Sequence, residues 1–397
     1  MKAIADRGMG GSPPAVLLQG FRPFFLAAGL WSAAALALWI AMFTLGIGVP
    51  SRFGPLDWHV HEMLFGFVMA AVAGFLLTAI PNWTGRLPVQ GGPLAALAAL
   101  WLLGRIACLV SSYLPPWIAD AADLAFPAAL IAVAAREVVA GGNRRNLPLL
   151  APVTVLGIAN LLMHLESDGI AVPAGLGWRL GLAATLVLIS AVGGRIVPSF
   201  TRNWLLKRQG EALPAPFGWV DRAALASLHA GMFGWAFFPP FRPLAALLLL
   251  GAALNLWRLL RWHGRRTAGE PLLLVLHVGY AWLAVGAALL ALALLVPAVP
   301  LAAAVHALTA GAMGTMILAV MTRATLGHTG RELAADGITR LIYVAVFGAA
   351  IARVAAPFAA NWSEPLLAVS AGLWIAAFGG FVLHYGPMLL LPRAAAD

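Results

Sequence analysis

The chain has 397 residues, of which 62% are hydrophobic and 10% are charged, and its mean hydropathy is +0.90. Because soluble domains carry about 25% charged residues, this composition excludes an ordinary soluble protein and indicates one built for lipid. Basic cytoplasmic loops of a membrane protein explain the net charge of +10 better than nucleic-acid binding does. The single cysteine, Cys108, excludes an internal disulfide and a thiolate-based metal cluster, so metal ligands are expected to be chiefly imidazole, carboxylate or thioether.

Apolar stretches of about 20 residues, long enough to cross a membrane, recur along the whole chain. They predict an all-α polytopic membrane protein with one transmembrane domain, 1–397, and about twelve spans. The predicted spans lie near 24–46, 60–80, 93–113, 117–138, 147–166, 176–198, 220–238, 242–262, 271–296, 300–322, 338–357 and 366–388. The pair around 220–262, interrupted by Pro239 and Pro240, has the weakest pattern.

The charges in the loops predict the orientation of these spans. Arginine and lysine residues concentrate in the N-terminal segment and in the loops after the even-numbered spans. The opposite loops carry mainly Arg52 and Arg242. The positive-inside rule therefore predicts that both termini are cytoplasmic. We call the arginine-rich end of the bundle the inner end and the opposite end the outer end.

A short internal repeat relates the second and tenth predicted spans. His61 precedes Arg86 by 25 residues (86 − 61), and His306 precedes Arg331 by the same 25 (331 − 306). The aligned segments share His, Gly, Ala, Thr, Gly and Arg, and Asn-Trp pairs at 82–83 and 203–204 extend the likeness to the sixth span. We predict three four-helix units, about 20–140, 141–262 and 263–390, in a pseudo-threefold arrangement. Transporters also contain such repeats.

Four histidines are predicted at the outer end, His59, His61, His164 and His306. Ionisable side chains at membrane depth are usually functional. The repeat makes His61 and His306 partners on separate helices, so we predict that they ligate a haem iron between them. His59 and His164 are predicted copper or second-site ligands. Residues two apart on a helix point roughly 200° from each other, so His59 and His61 are not expected to share one ion. The alternative for each histidine is an ordinary hydrogen-bonding role.

Three acids at the outer end, Glu62, Asp120 and Asp123, are predicted to orient a ligating imidazole or to move protons in catalysis. The alternative is that they pair with arginines such as Arg52. Arg105, well inside the third span, requires an anion or a wet cavity. A haem propionate is one candidate partner for Arg105, and Asp120 or Asp123 is another.

The inner loops predict a cationic vestibule. Its predicted polar residues are Arg22, Asn82, Arg86, Arg195, Arg202, Arg323, His328 and Arg331. Positive-inside charge and helix capping by Asn and Thr also explain most of these residues. His277, within the ninth span, is a further candidate metal ligand, which His328 and His384 could join.

At these residues the sequence resembles the NnrS family, haem- and copper-containing integral membrane proteins of the bacterial nitric oxide response. The resemblance covers nearly the whole chain and rests on motifs in a fixed order. They are "GFRPFF" (20–25), "WHVHEMLFGF" (58–67), "GFLLTAIPNWTGR" (74–86), "GGRIVPSFTRNW" (193–204), "LHVGYAW" (276–282) and "HALTAGAMGTMILAVMTRATLGHTGR" (306–331). The resemblance implies twelve spans, bound haem b and copper, and protection against nitrosative stress. It does not imply which histidine holds which metal.

The arrangement of spans is also similar to the catalytic subunit of haem-copper oxidases and nitric oxide reductases. Those proteins ligate a haem at the outer ends of their second and tenth helices, where His61 and His306 stand. This chain departs from them because Ala304 stands two residues before His306, where the second haem would need its ligand. The sixth span has no histidine and the seventh has only His229. An oxidase-type binuclear centre is therefore not expected.

Together these features predict a protein of the bacterial inner membrane that binds nitric oxide and reduces it near the periplasmic face. Nitric oxide is small, neutral and soluble in lipid, so such a site needs no channel. The sequence does not identify the electron donor. Two alternatives stay open: a transporter of a metal, haem or nitrosyl complex, and a non-catalytic haem-based sensor of nitric oxide.

Overall fold

The computed structural model describes residues 13–209 and 212–393. Within these ranges it contains twelve long helices and no strand. The helices are α1 Phe21–Leu45, α2 Pro55–Thr84, α3 Gly92–Leu109, α4 Pro116–Ala140, α5 Leu150–Ser167, α6 Leu176–Lys207, α7 Trp219–Phe237, α8 Leu244–Leu260, α9 Pro271–Leu295, α10 Leu301–His328, α11 Gly337–Ala355 and α12 Ser363–Leu390. This confirms the predicted all-α polytopic membrane fold.

Ten of the described helices are long and apolar enough to cross a membrane. α7 and α8 are outside that group, and α8 has only 17 residues. They correspond to the predicted pair with the weakest pattern. The predicted cytoplasmic position of both termini stays a prediction, and Lys2 and Arg7, which contribute to it, lie outside the described residues.

Local sequence signals explain where several helices begin and end. Pro55, Pro116 and Pro271 occupy the first turn of α2, α4 and α9, where a missing backbone N–H has no cost. α1 and α2 end at Gly46 and Gly85, whose φ angles of 65° and 69° are left-handed and favour glycine. Short loops therefore connect consecutive helices at the two ends of the bundle.

The centre of the bundle is formed by α2, α6 and α10. In the most apolar stretch of these helices 72%, 67% and 72% of residues are buried, against 33–50% in the other candidate spans. The three central helices are the ones that the sequence repeat relates. The division of the chain into three four-helix units nevertheless stays a prediction.

α2 and α10 share an unusual local structure. A π-helical segment, Glu62–Val68, follows His61 directly in α2, and a second one, Ala307–Gly314, follows His306 in α10. π-Helical turns are rare and occur often at functional sites. The two segments therefore add a structural likeness to the sequence likeness of these helices.

A buried ion pair connects α7 with α8 at the inner end. The Arg258 Nε atom lies 2.7 Å from Asp221 Oδ1, and an Arg258 Nη1–H group donates to Tyr280 Oη at 2.7 Å on α9. The Tyr280 hydroxyl in turn donates to Asn255 Oδ1 at 2.7 Å. These contacts explain how two helices with a weak apolar pattern stay attached to the bundle.

Candidate metal centre at the outer end

Four potential metal ligands meet where the outer ends of α2, α3, α4 and α5 pack together. They are His61, Cys108, Asp123 and His164, and one ligand atom of each lies within 4.8 Å of the others. All four side chains are buried. Within the described ranges no other three or more His, Cys, Asp and Glu residues are grouped in this way. We call these four residues the outer cluster.

The two histidines of the outer cluster share one carboxylate. His61 Nε2 lies 3.2 Å from Asp123 Oδ2, and His164 Nε2 lies 2.9 Å from the same oxygen. The centroids of the two imidazole rings are 5.2 Å apart. Asn160 Nδ2 also donates to Asp123 Oδ2, at 2.8 Å. Asp123 therefore fixes the position of three side chains from α2 and α5.

The other ring nitrogens of these histidines face further carboxylates. His61 Nδ1 lies 3.0 Å from Glu62 Oε1. His164 Nδ1 lies 2.9 Å from Asp120 Oδ1, although not in hydrogen-bond alignment. Carboxylates that contact the second nitrogen of an imidazole orient the ring and raise its basicity. Glu62 and Asp120 thus occupy the positions expected of residues that orient ligands.

Arg105 neutralises the buried carboxylates. Its guanidinium group bridges Glu62 Oε2, at 2.6 Å from Nη1, and Asp123 Oδ1, which contacts Nη2. The Trp31 indole N–H donates to Glu62 Oε2 at 2.7 Å. Buried charges are tolerated only when they are paired and hydrogen-bonded. Of the partners predicted for Arg105, the structure places Asp123 beside it and adds Glu62.

A rim of side chains separates the outer cluster from the outer surface. Arg52 pairs with Asp120 at 2.6 Å and with Asp168 at 2.9 Å. The ring of Phe53, next in the chain, stacks on His61 with centroids 4.6 Å apart. The side chains of Arg52, Asp120 and Asp168 are 15–18% exposed, so the rim is the boundary between the buried cluster and the surface.

The family model described as NnrS protein matches residues 15–393. The chain belongs to the NnrS family. A search of the curated proteins finds no significant match. The outer cluster is therefore a feature of an NnrS family member, and the family of the chain agrees with the sequence resemblance.

His59 and His306 occupy a second location in this NnrS protein. The His59 ring stacks on Trp39 with centroids 4.3 Å apart, and its Nδ1 atom is buried without a hydrogen-bond partner in the described chain. His306 Nδ1 lies 2.7 Å from the Ala302 carbonyl oxygen and donates to it. The start of α10, which carries His306, packs against α11, which carries Arg353.

The predicted pairing of His61 with His306 is not found among the contacts of the described residues. His61 instead lies with His164, and His306 bonds the Ala302 carbonyl oxygen within its own helix. The physical reason is the two-residue spacing of His59 and His61, which directs them to different helix faces. The face of His61 meets α4 and α5, whereas that of His59 meets α1.

Cys108 and Asn160 are members of this site that the sequence did not predict. A lone cysteine excludes a cluster of several thiolates, but it does not exclude a single thiolate ligand. Helical spacing carries the signal that could have found them: Cys108 follows Arg105 by three residues, and Asn160 precedes His164 by four. Residues three or four apart share a helix face, so each lies beside a predicted site residue.

His277 is separate from any such group of ligands in the described chain. Its Nε2 atom lies 2.9 Å from Thr201 Oγ1, and its Nδ1 atom is buried without a hydrogen-bond partner there. His384 lies 2.9 Å from Asp336, and His328 packs against Phe21. A second metal site that combines His277 with His328 and His384 is not supported by these contacts.

The predicted vestibule residues at the inner end have different environments. Asn82, Arg323 and His328 line a cavity. Arg22 donates to three carbonyl oxygens at the end of α12, and Arg86 pairs with Glu137 at 2.7 Å. The remaining three are Arg195 and Arg202, which are exposed, and Arg331, which is half-buried. Only part of the predicted vestibule therefore faces one common space.

Proposed function

We propose that this NnrS family member binds copper and haem b at its outer end and reduces nitric oxide there. The observation that carries the proposal is the buried outer cluster, in which two imidazoles, a thiol and a carboxylate converge. Such a group has little structural purpose in hydrocarbon, where polar side chains are costly. Family membership supports the choice of nitric oxide, and its solubility in lipid explains how it reaches a buried site.

The donor set of the outer cluster fits copper. Imidazole nitrogens suit copper in either oxidation state, and a thiolate beside two histidines is the ligand set of several electron-transferring copper sites. His61, His164 and Cys108 would be the principal ligands, with Asp123 as a further one. When bound, copper would supply one-electron redox chemistry. Glu62 and Asp120 would orient the two imidazoles.

His59 and His306 fit a haem better than the outer cluster does. His306 donates through Nδ1 to the Ala302 carbonyl, which leaves Nε2 as its lone-pair nitrogen. His59 has a buried Nδ1 atom without a partner in the described chain, as a ligand in a metal-free structure would. Arg353 offers a cation to a haem propionate. Haem, when bound, would supply an iron that accepts nitric oxide.

The reduction of nitric oxide to nitrous oxide and water consumes protons as well as electrons. The acidic residues at the outer end would supply these protons. Asp120 lies at the partly exposed rim and contacts His164 Nδ1. The opposite nitrogen, His164 Nε2, contacts Asp123 Oδ2, which contacts His61. A proton taken up at Asp120 would therefore be held at the edge of the proposed metal site, beside His164 Nδ1. This supports the predicted catalytic role of Glu62, Asp120 and Asp123.

The proposal is tested on protein purified in mild detergent. Copper content is measured by mass spectrometry, haem by the pyridine haemochrome spectrum, and nitric oxide consumption with an electrode and a chemical reductant. We expect His164→Ala to lose copper and keep haem, and His59→Ala to lose haem and keep copper. His229→Ala is the control. The His229 ring forms a hydrogen bond with the Ser190 hydroxyl at 2.8 Å and belongs to neither proposed site. Protein without either cofactor, or without nitric oxide consumption, would contradict the proposal.

A transporter for a metal, haem or nitrosyl complex is the second candidate. The likeness of α2 and α10, which extends to their π-helical segments, favours it because transporters are often built from repeats. Uptake into vesicles without consumption of nitric oxide would support the transporter. Binding of nitric oxide without turnover or uptake would instead indicate the sensor.

A further inference from the structure

The inner end contains a cavity that the outer cluster does not involve. It has a volume of about 310 Å³ and lies where α2, α6 and α10 converge near their inner ends. A narrower cavity of about 90 Å³ adjoins it between α2, α5, α6 and α10. Phe25, Phe75, Ile196 and Val320 line both cavities. We call the joined space the inner chamber; its wider part reaches the lower end of the usual range for ligand pockets, about 300–1,000 Å³.

The wide part of the inner chamber carries hydrogen-bonding groups that the described chain does not occupy. Arg323 and His328 make no side-chain hydrogen bond or ion pair within the described ranges. The Asn82 amide donates only to the Thr78 carbonyl, at 3.4 Å, which leaves its oxygen and one N–H group. Asn82 is exposed and Arg323 and His328 are partly buried, so these donors stand at the mouth of the chamber, where a ligand with oxygen acceptors can reach them.

The same part of the chamber has aromatic walls. Phe25, Phe75 and Phe200 line it, and the Arg323 guanidinium carbon lies 4.4 Å from the centroid of the Phe200 ring. Aromatic rings favour flat ligands, which stack on them in offset or edge-on arrangements. A flat head group that accepts hydrogen bonds would therefore use both the rings and the donors.

The narrow part of the chamber is almost entirely apolar. Its walls include Leu188, Ile189, Met316 and Met321, and Thr185 is the single residue with a polar side-chain oxygen or a charge among those that line it. The Thr185 hydroxyl already donates to the Gly181 carbonyl at 2.9 Å. The Trp83 indole N–H is the other polar side-chain group among the lining residues. The rest of the wall is apolar and suits a hydrocarbon tail.

From this combination we propose that the inner chamber binds a lipid-soluble quinone. Its carbonyl oxygens accept hydrogen bonds from Arg323 and Asn82, its ring lies among the three phenylalanines, and its isoprenoid tail occupies the narrow part. A phospholipid fits less well, since its two acyl chains need more apolar space than the single tail of a quinone, and the narrow part has a volume of about 90 Å³. The inference rests on the inner chamber alone and does not depend on a metal at the outer end.

The first experiment measures the quinone that accompanies the protein. The chain is purified in mild detergent, extracted with organic solvent, and its quinone and phospholipid contents are quantified by mass spectrometry. We expect close to one quinone per chain in the wild type and at least tenfold less in Arg323→Gln. Ala324→Phe, which fills the chamber without changing its charge, is expected to give the same loss. Arg195→Gln is the matched control, because Arg195 is exposed at the inner end of α6 and does not line the chamber.

The second experiment adds decylubiquinone, which has a short tail and is soluble enough to titrate. Wild type and Arg195→Gln should bind it saturably, with Kd at least tenfold lower than in Arg323→Gln and Ala324→Phe. Elution as a single symmetrical peak and an unchanged melting temperature verify that each variant is folded. Equal quinone in all variants, enrichment of phospholipid alone, or no saturable binding would each overturn the inference. Saturable binding by protein that consumes no nitric oxide would overturn the proposed function and leave this inference standing.

Discussion

The polar side chains at the two ends of the bundle differ in their burial and in their hydrogen bonding. At the outer end, Glu62, Arg105 and Asp123 are at most 2% exposed and are bonded to one another or to the histidines. At the inner end, Arg323 and His328 line a chamber and make no such bonds within the described chain. Arginine and histidine side chains are thus buried and bonded to carboxylates at the outer end. At the inner end the same two residue types line a cavity.

This contrast separates two kinds of binding. A preorganised set of buried ligands favours a small ion, because the side chains are already held near each other before it arrives. A chamber with unoccupied donors favours a molecule that enters from the bilayer and leaves again. Substitutions at the outer end should therefore change stability and metal affinity, and substitutions in the inner chamber should change ligand binding while the fold persists.

The largest effect is expected from removing the cation of the outer end. Arg105→Leu leaves Glu62 and Asp123 buried without a counter-charge, which typically costs about 3–5 kcal/mol. Thermal unfolding can be followed by the loss of helical circular dichroism. Arg323→Leu, which lines the inner chamber, is the comparison and should lower the melting temperature far less. Equal losses would break the contrast between the two ends.

The next effect concerns metal affinity rather than stability. Asp120→Asn removes the carboxylate beside His164 Nδ1 and leaves the four candidate ligands in place. Loss of such an orienting group typically weakens metal binding about 10–100-fold. Competition with a copper chelator measures the change. Asp168→Asn, which alters the same rim farther from the histidine, is the matched variant and should have the smaller effect; the reverse order would contradict the assigned role of Asp120.

A smaller effect is expected at the start of α11 near the inner end. Asp336 accepts a hydrogen bond from the Thr339 backbone N–H at 2.8 Å, so Asp336→Ala removes a helix cap that is usually worth about 1 kcal/mol, whereas Asp336→Asn keeps a capping oxygen and should cost little. Partial burial alone favours the neutral carboxyl, but the Thr339 N–H and hydroxyl and the His384 ring outweigh it and lower the pKa of Asp336.

The sign of the pH dependence follows from that lowered pKa. The carboxylate of Asp336 stabilises the fold fully above the unfolded pKa, about 3.9, and the contribution is lost as the pH falls through the lower folded value. The difference in melting temperature between wild type and Asp336→Ala should therefore shrink below about pH 4. Glu332→Ala, at an exposed position of the same loop, provides the control. A difference that grows in acid would show that the sign is wrong.

The smallest effect is expected from the ion pair of Arg86 with Glu137. The Arg86 side chain is 45% exposed, and Arg136 also bonds Glu137, so Arg86→Gln should cost at most about 1 kcal/mol. The same unfolding assay measures it, with Arg202→Gln as an exposed control. A loss as large as that of Arg105→Leu would mean that the inner end is as tightly organised as the outer one.

The helices could be predicted from the sequence because each is a local property. Length and hydropathy alone locate α1 to α12, and even the weak signal for α7 and α8 corresponds to helices that fall outside the group of candidate spans. The π-helical segments could not be predicted, since one extra residue in a turn leaves the apolar pattern almost unchanged.

Most residues of the outer cluster were expected at the outer end, but their mutual contacts were not predicted; their role as a site stays a prediction. His61, His164 and Asp123 were expected at the outer end, and the structure brings them together. Which histidine meets which depends on the faces that α2 turns toward α1, α4 and α5, and this is a property of packing rather than of one helix. Cys108 was missed for the same reason, because its place beside Asp123 appears only when α3 packs on α4.

The π-helical segment of α2 has a consequence for both ends of the molecule. Each residue of an α-helix adds about 100° of rotation, and the segment Glu62–Val68 lies between His61 and Asn82. A π-helical segment takes up an extra residue within one widened turn, so the helix below it keeps nearly the phase that it would have without that residue. If the same residues were wound as a regular α-helix, Phe75 and Asn82 would turn by roughly 100° away from the chamber while His61 kept its neighbours. Two binding regions on one helix thus keep their relative orientation through one short widened stretch.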